Sequence, residues 1–402
     1  MFTIRLILLF VVCNGIRLTA QTATPIPNQY NVLIKQALVA PVCLSEITTD
    51  DREETAAMNE SARNAALQIV QSVAESAGVE PEQIVAYYVD AVVGFTATLT
   101  TAQLEQLSKN PSVETVTPDA EFAASLPDDL KITPPENGQV TTCAVQNAGG
   151  FADGSAKQTS IWILDTGIDL DHPDLNVTTN PTLARSFIPG QGVDDAHGHG
   201  THVAGIAAAK NNNFGVVGVS AGANLIPVKV LANNGYGSWS QLLQGLNHVA
   251  KYDKPNDVVN LSTGGYPINN CENSDVMIRN AIRNLGQSGT YVCIAAGNQS
   301  GNAALSRPGC INGTRVFTVG ALDCNLKCAS YSNWAASVVD WVATGTNVYS
   351  TYKNGTYTTL SGTSMAAPVV AGIVHARANP PLSGGSAPCG NPLFPYKRAK
   401  RI

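Results

Sequence analysis

From Ser160 onward, apolar residues gather in short, nearly unbroken runs: Ser160–Leu164, Asn224–Val230, Val258–Ser262, Tyr291–Ala296 and Val316–Ala321. A strand covered on both faces has no polar side to show, so it reads as a continuous run rather than an alternation. Between these runs lie Thr201–Ala209, Ser240–Tyr252, Ser274–Leu285 and Ser364–Ala378, which have the length and composition of helices. Strand, turn and helix in repeated alternation predict a doubly wound α/β domain with a central, mainly parallel sheet over 155–402. Chemistry in such sheets collects outside the carboxyl ends of the strands.

The first part of the chain is patterned differently. Tyr30–Ile34 alternates like a strand, and Glu53–Ala77 is alanine-rich with charges at helical spacing. Ile84–Leu99 is extended, with Gly94 as a bend. Thr101–Lys109 starts at a hydroxyl cap and sets Leu104 and Leu107 on one face, and Val113–Val116 returns as a strand. That order predicts a small α+β domain over 26–123. Residues 124–154 carry Pro127, Pro134 and Pro135 with glycines and aspartates and little periodicity, so they read as an exposed linker where chains are cut.

Composition sharpens the picture at three points. Arg5, the apolar run Leu6–Val12 and Ala20 predict a signal peptide over 1–20 and hence an exported protein. The run is too short for a membrane span, and no later stretch reads as one. A net charge of −6 with 13% charged residues offers no basic field for nucleic acid. Of nine cysteines, Cys13 leaves with the signal, Cys43 follows it and Cys293 sits in a buried run. Cys143, Cys271, Cys310, Cys324, Cys328 and Cys389 remain; in an exported chain they are expected to pair, in any of fifteen ways. Cys324 and Cys328 are spaced to close a short loop. They also resemble half a zinc site, but no second Cys/His pair stands at ligand spacing.

Three polar residues stand where an α/β domain places its chemistry. Asp165 ends "SIWILD", His199 lies in "HGHGTHVAGIAA", and Ser364 begins the helix of "LSGTSMAAPVVAG". Alone, each is ordinary: a turn Asp, a structural His, an N-cap Ser. Together they supply a nucleophile, a base and an orienting carboxylate, in the chain order Asp, His, Ser that is one known solution. Ser364 would attack a carbonyl once neutral His199 takes its proton, and Asp165 would fix the imidazole tautomer. Asn298 in "IAAGNQSG", with the Ser364 N–H, is the candidate donor pair for the developing oxyanion.

The blocks "ILDTGIDLDHPDL", "HGHGTHVAGIAA" and "LSGTSMAAPVVAG", with "VVNLSTGG" and "IAAGN" between them, resemble the signature motifs of the subtilisin family of serine endopeptidases. The flavour is similar to proteinase K and its exported bacterial relatives, and the resemblance covers Ser160 to His375. "GFTATLTTAQLEQLSKNPSVETVTPDAEF" resembles that family's inhibitor propeptide. The resemblance implies a three-layer α/β/α sandwich preceded by a ferredoxin-like propeptide. It makes Asp165, His199 and Ser364 the triad and Asn298 the side-chain oxyanion donor, and it selects His199 over His197 and His202, the last a buttress. Ser262, Thr263 and Gly264 become one wall of the substrate cleft and Ala295, Ala296 and Gly297 the other. Tyr236 and Gly237 form a second substrate-pairing edge, with Trp239 near a more distant subsite.

Such a cleft binds extended peptide as an added strand. Small uncharged walls imply broad specificity with a preference for apolar or aromatic side chains, and Arg307 falls at the pocket's base. Asp174 and Asn212 match positions for a structural Ca²⁺; the chemistry itself needs no cofactor. The implied partners are protein or peptide substrates and the chain's own propeptide, acting in cis, with its tail Pro118–Leu130 in the cleft. Nucleic acid and membrane are not expected as partners, and the expected state is an extracellular monomer. The alternative is a catalytically silent binding protein on the same fold, which the four unsubstituted catalytic positions oppose. Only 38 residues follow Ser364, so the closing elements are expected to be trimmed or replaced by Pro380–Pro395, with "YKRAKRI" facing solvent.

Overall fold

A computed structural model describes residues 24–42, 51–124, 126, 130–135, 138–265, 271, 276–389 and 396–402. The expected signal segment, Cys43 and the start of the helix expected at Ser274 lie outside the described residues.

The small unit contains β1 (Thr24–Ile34), α1 (Arg52–Met58), α2 (Glu60–Ser76), β2 (Ile84–Tyr88), β3 (Gly94–Thr98), α3 (Thr101–Lys109) and β4 (Val113–Ala123). Its strands are ordered β4-β1-β3-β2, all antiparallel, the ferredoxin-like arrangement. Three local features differ from the sequence expectation. The helix expected over Glu53–Ala77 breaks at Asn59 into α1 and α2. The α1 amino end is fixed by Asp51, whose carboxylate accepts the Glu53 and Glu54 N–H groups at 2.8 and 2.9 Å. The extended stretch 84–99 divides into two paired strands, and β4 runs seven residues past Val116.

The large unit contains α4 (Cys143–Asn147), β5 (Ser160–Asp165), β6 (Arg185–Ser186), α5 (His199–Ala208), β7 (Asn224–Lys229), β8 (Tyr236–Ser238), α6 (Trp239–Tyr252), β9 (Val258–Leu261), α7 (Val276–Ser288), β10 (Tyr291–Ala295), β11 (Val316–Leu322), β12 (Val339–Thr344), β13 (Val348–Tyr352), β14 (Thr356–Leu360), α8 (Thr363–Arg377), β15 (Leu382–Ala387) and β16 (Tyr396–Lys400). The main sheet is ordered β15-β16-β12-β11-β10-β9-β5-β7-β6 and is parallel except for the β15–β16 hairpin. One face is covered by α5 and α8 through Val203, Ile206, Val370 and Ile373. The other is covered by α6 and α7 through Leu242, Leu246, Ile278 and Ile282, completing an α/β/α sandwich. The second cluster also takes in Leu33, Tyr88, Val92 and Phe122 of the small unit. The two units therefore share one apolar core, and β8 pairs antiparallel with β4 as a fifth strand of the small sheet.

The last segment departs from expectation. "YKRAK" is a paired strand, β16, between β15 and β12 rather than a solvent-facing tail, with Tyr396 and Ala399 buried. The cysteines pair as Cys143–Cys324, Cys271–Cys310 and Cys328–Cys389. The short loop between Cys324 and Cys328 is therefore not closed on itself; each of its cysteines reaches a distant partner. Cys293 is a buried free thiol.

Candidate active site

Each candidate reacting side chain stands at an element end. Asp165 closes the fully buried strand β5, and its Oδ1 lies 2.8 Å from His199 Nδ1. A carboxylate only accepts, so Nδ1 carries the proton and Nε2 keeps its lone pair. Burial, the largest influence on His199, pulls its pKa down; the charge and hydrogen bond of Asp165 outweigh it, and the net shift is upward. His197, half-buried beside His199, is pushed down to about 4 by partial burial and then by the charge of His199. His202 is pushed down to about 3, chiefly by burial, with its Nε2 at 3.1 and 3.2 Å from the carbonyls of Val348 and Thr358. It ties α5 to β13 and β14.

The amino end of α5 rests on a residue the sequence reading passed over. Asp195 Oδ1 accepts the N–H groups of His197 and Gly198 at 3.0 and 2.8 Å, and Oδ2 accepts Thr201 N–H at 2.9 Å and its hydroxyl at 2.6 Å. Thr166, next to Asp165, donates its hydroxyl to Asp195 at 2.9 Å and accepts the Gly200 N–H at 3.0 Å. The buried Lys229 ammonium donates to the Thr166 carbonyl. Gly200 lets strand end and helix start approach: a Cβ there would sit 2.1 Å from the Gly167 carbonyl. Gly198 has φ +107°, and a Cβ would strike the Tyr352 ring at 2.2 Å.

Ser364 is the second residue of α8 and is half-buried. Its hydroxyl donates to the Ser262 carbonyl at 3.0 Å, and the Ser262 hydroxyl donates back to the Ser364 carbonyl at 2.8 Å. The serine's one proton thus points at the end of β9 rather than at His199. Asn298 follows the Gly297 turn. Its Oδ1 accepts both the Thr363 N–H at 2.8 Å and the Thr363 hydroxyl at 2.9 Å. A backbone N–H only donates, which fixes Oδ1 on that side and leaves Nδ2 free to donate elsewhere. The nearest atom to a Cβ on Gly362 would be this Nδ2, at 3.4 Å. Thr363 also accepts the Gly297 N–H at 3.0 Å, so it holds both ends of the Gly297–Asn298 turn. Its only sequence signal is its place one residue before the serine.

The expected cleft walls are partly occupied. Ser262 and Thr263 are buried, and Gly264 lies so close to the Arg307 carbonyl that a Cβ would sit 2.4 Å from it. Gly265 and Arg307 exchange backbone hydrogen bonds of 2.8 and 2.9 Å. Ala295 and Ala296 are buried at the end of β10, leading into Gly297. Tyr236, 43% exposed, and Gly237 pair with Ala123 and Phe122 of β4, and Ala124 donates to the Gly235 carbonyl at 3.0 Å. Trp239 is fully buried with Phe122 stacked on it, ring centroids 4.2 Å apart. The Arg307 guanidinium lies 4.0 Å from the Trp239 ring centroid. Arg307 thus has an aromatic partner while its backbone packs against Gly264 and Gly265.

Asp174 is fully buried and accepts from Asn212 Nδ2 at 2.7 Å, Val216 N–H at 2.9 Å and the Tyr357 hydroxyl at 3.0 Å. Beside it, Lys210 O, Asn212 Oδ1 and Val216 O converge on Gln139 Nε2 at 2.8, 3.2 and 3.4 Å. Oxygens so gathered are the donor type of a hard cation. Among the described residues no group of three or more His, Cys, Asp or Glu is placed to hold a metal, so a cation here would rely on amide and carbonyl oxygens beside one carboxylate.

Residues 156–379 match the subtilase family, and residues 47–124 match peptidase inhibitor I9. The chain is 37% identical to M-protease of Shouchella clausii (strain KSM-K16) over 279 residues, covering 68% of this chain and 66% of the relative. It is 40% identical to Subtilisin Savinase of Lederbergia lenta over 235 residues, covering 58% of this chain and 80% of that one. A solved structure, a cold adapted subtilisin-like serine proteinase, aligns at a TM-score of 0.46 and 32% identity over 56% of this chain and 75% of its own. The chain thus spans just under two thirds of the first relative's length. The subtilase match alone takes in more than half of the 402 residues, and the chain belongs to the subtilase family, with an inhibitor I9 domain ahead of its subtilase domain.

Proposed function

We propose that the chain is a secreted serine endopeptidase made as a self-processing zymogen. What supports this reading is the buried Asp165–His199 pair, beside the half-buried Ser364 and the Asn298 oxygen tied back to Thr363, the residue before that serine. In the proposed reaction the Ser364 hydroxyl turns from the Ser262 carbonyl to His199 Nε2 and gives up its proton as Oγ attacks the substrate carbonyl. The oxyanion is met by Asn298 Nδ2 and the Ser364 N–H. His199 then protonates the leaving amine, and water, activated by the same imidazole, releases the acyl group. Asp165 keeps the tautomer and balances the imidazolium.

Substrate would add as a strand along Tyr236–Gly237 on one side and Ser262–Gly264 on the other, with its side chain before the cut between the small walls of 262–264 and 295–297. β4 occupies the first of these edges in the present state, which supports the I9 domain as an inhibitor acting in cis. Small walls favour apolar or aromatic residues. The domain limits that go with this reading are signal 1–20, propeptide 26–123, linker and mature amino-terminus 124–154, of which α4 packs on the large unit, and catalytic domain 155–402. Among the described residues no helix is long and apolar enough to cross a membrane, and three disulfides suit an oxidising compartment. Asp174 and Asn212, with Gln139 turned to present its oxygen, would hold a structural Ca²⁺ that fixes the 210–216 loop and takes no part in the chemistry.

The test is expression of Gln21–Ile402 beside its Ser364→Ala variant, followed by intact mass and casein hydrolysis. The parent should lose about 10 kDa from its amino end, the mass of a domain of roughly 100 residues, and cleave casein. The variant should stay full length and inert. Equal hydrolysis by both removes Ser364 as nucleophile; folded parent that stays whole and inactive favours the silent binding protein.

A further inference from the structure

The hold of the small unit on the large one has a second point, far from the cleft. Asp257, between α6 and β9, is completely buried. Its Oδ1 accepts the Ser160 N–H at 2.8 Å, and its Oδ2 accepts the Trp162 indole N–H at 2.8 Å and the Lys254 N–H at 3.1 Å. Into this cluster of large-unit groups the small unit inserts one side chain, Arg52, the first residue of α1. Its guanidinium spans the carboxylate, Nη1 to Oδ2 at 2.5 Å and Nη2 to Oδ1 at 2.9 Å. Nη1 also donates to the Tyr252 carbonyl at 2.9 Å and Nη2 to the Ser160 hydroxyl at 3.1 Å. The Arg52 Cζ lies 5.6 Å from the Trp162 ring centroid, and the side chain is 9% exposed. Nearby, Asn180 donates to the Glu53 carboxylate at 3.0 Å.

Two facts make this more than a surface pair. With Arg52 withdrawn, Asp257 keeps three N–H donors from its own unit, so the receptor does not depend on the ligand for its shape. Its partners also present two acceptors, Tyr252 O and Ser160 Oγ, beside the carboxylate, a layout that fits the planar fork of a guanidinium and not the point charge of an ammonium. Ser160 and Asp165 are the two ends of β5, so this socket and the reacting pair lie at opposite ends of one strand, about 16 Å apart at roughly 3.3 Å per residue.

We infer that Asp257, Ser160, Trp162 and Tyr252 form a guanidinium-binding socket in the subtilase domain, with Arg52 of the I9 domain as its ligand, and that this socket retains the I9 domain independently of the cleft. Two separated contacts on one domain raise each other's effective concentration. The leader tail can then leave the cleft while Arg52 still holds the domain, and its full release waits on Arg52. The inference rests on residues 47–124 being the leader, and its test does not require catalysis.

The test uses the full chain carrying Ser364→Ala, so that no cut is made. Hydrogen exchange of Arg52–Met58 should become on the order of 100-fold faster in Arg52→Ala and stay intermediate in Arg52→Lys, while β10 and β11 keep the parent's protection. The second readout is the Trp162 indole N–H, one of four indole signals in the chain. Methylguanidinium added to Arg52→Ala should move this signal saturably; methylammonium should not, and Arg52→Ala/Asp257→Asn should respond to neither. Unchanged exchange in Arg52→Ala, or a Trp162 response identical for the two cations, overturns the proposal. If Arg52→Ala fails to fold, Arg52→Gln carries the same two readouts. A parent chain with an intact Ser364 that never cuts itself would count against the protease reading and leave these results standing.

Discussion

Thr363→Val is the sharpest probe of the proposed oxyanion donor, because it removes one oxygen and almost no volume. The Thr363 hydroxyl donates to Asn298 Oδ1 at 2.9 Å, while its backbone N–H holds the same oxygen at 2.8 Å. The variant therefore loosens the amide without freeing it. One neutral hydrogen bond contributes about 1 kcal/mol net, so kcat should fall about fivefold. Deleting a donor amide outright costs about 3–4 kcal/mol, a size measured in a subtilisin, and Asn298→Ala should show it. The assay is kcat and KM on one soluble peptide for the parent, both single variants and the double variant. If Thr363 acts only through Asn298, Thr363→Val should cost nothing further once Asn298 is Ala, and KM should be level throughout. The same fivefold loss in the Asn298→Ala background, or an effect confined to KM, refutes the reasoning. The Gly297 N–H also loses its acceptor, so Tm should fall, and the kinetics belong well below it.

Three further outcomes are expected. The base must be neutral to work, and Asp165 raises the His199 pKa despite burial. The acid limb of kcat/KM should therefore lie above the ordinary histidine value of about 6.5, and Asp165→Asn should shift it downward while lowering kcat on the order of 10⁴-fold; a limb that stays put refutes the pairing. Burial, followed by the charge of Asp257, pushes the Asp253 carboxyl up to about 7. With an unfolded value near about 3.9, its contribution favours the fold at acid pH and is lost as pH rises from there through 7; Asp253→Asn should raise Tm relative to the parent at pH 8 but not at pH 4, by calorimetry. If Ca²⁺ sits at Asp174 and Asn212, a chelator should lower the parent's Tm by several degrees, as loss of any ligand of the native state does, and leave Asp174→Asn unmoved.

The sheet and its helices were legible because a strand buried on both faces cannot hide its pattern: "SIWILD" reads as buried, and every residue of it is. The candidate reacting residues stood out because they fall at the element ends that such patterning exposes. What escaped was set by partners distant in sequence. The β4 strand runs on to Ala123 because β8 of the other unit pairs with it, which no local periodicity announces. "YKRAK" looks like a polar tail until β15 and β12 give it neighbours. Six cysteines admit fifteen pairings, and sequence proximity favoured the wrong loop. Asp195 and Thr363 carry only the faint signals of a carboxylate before a helix and a hydroxyl before a serine; their importance lies in which N–H groups converge on them. The contact of Arg307 with the Trp239 ring joins residues 68 positions apart, which no local pattern announces.

The loop after β11 has a consequence for survival. Cys324 ties it to α4, at the amino-terminal side of the subtilase domain, and Cys328 ties it to Cys389, beside the closing hairpin. The same two regions also meet directly, Arg401 donating to the Ala148 carbonyl at 2.7 Å. Loose segments are where digestion starts, and a protease of the proposed kind would share its compartment with copies of itself. One five-residue staple would deny those copies both openings at once. A reductant should therefore act less by unfolding the domain than by exposing it to autolysis, with a loss of activity that quickens as the protein concentration rises.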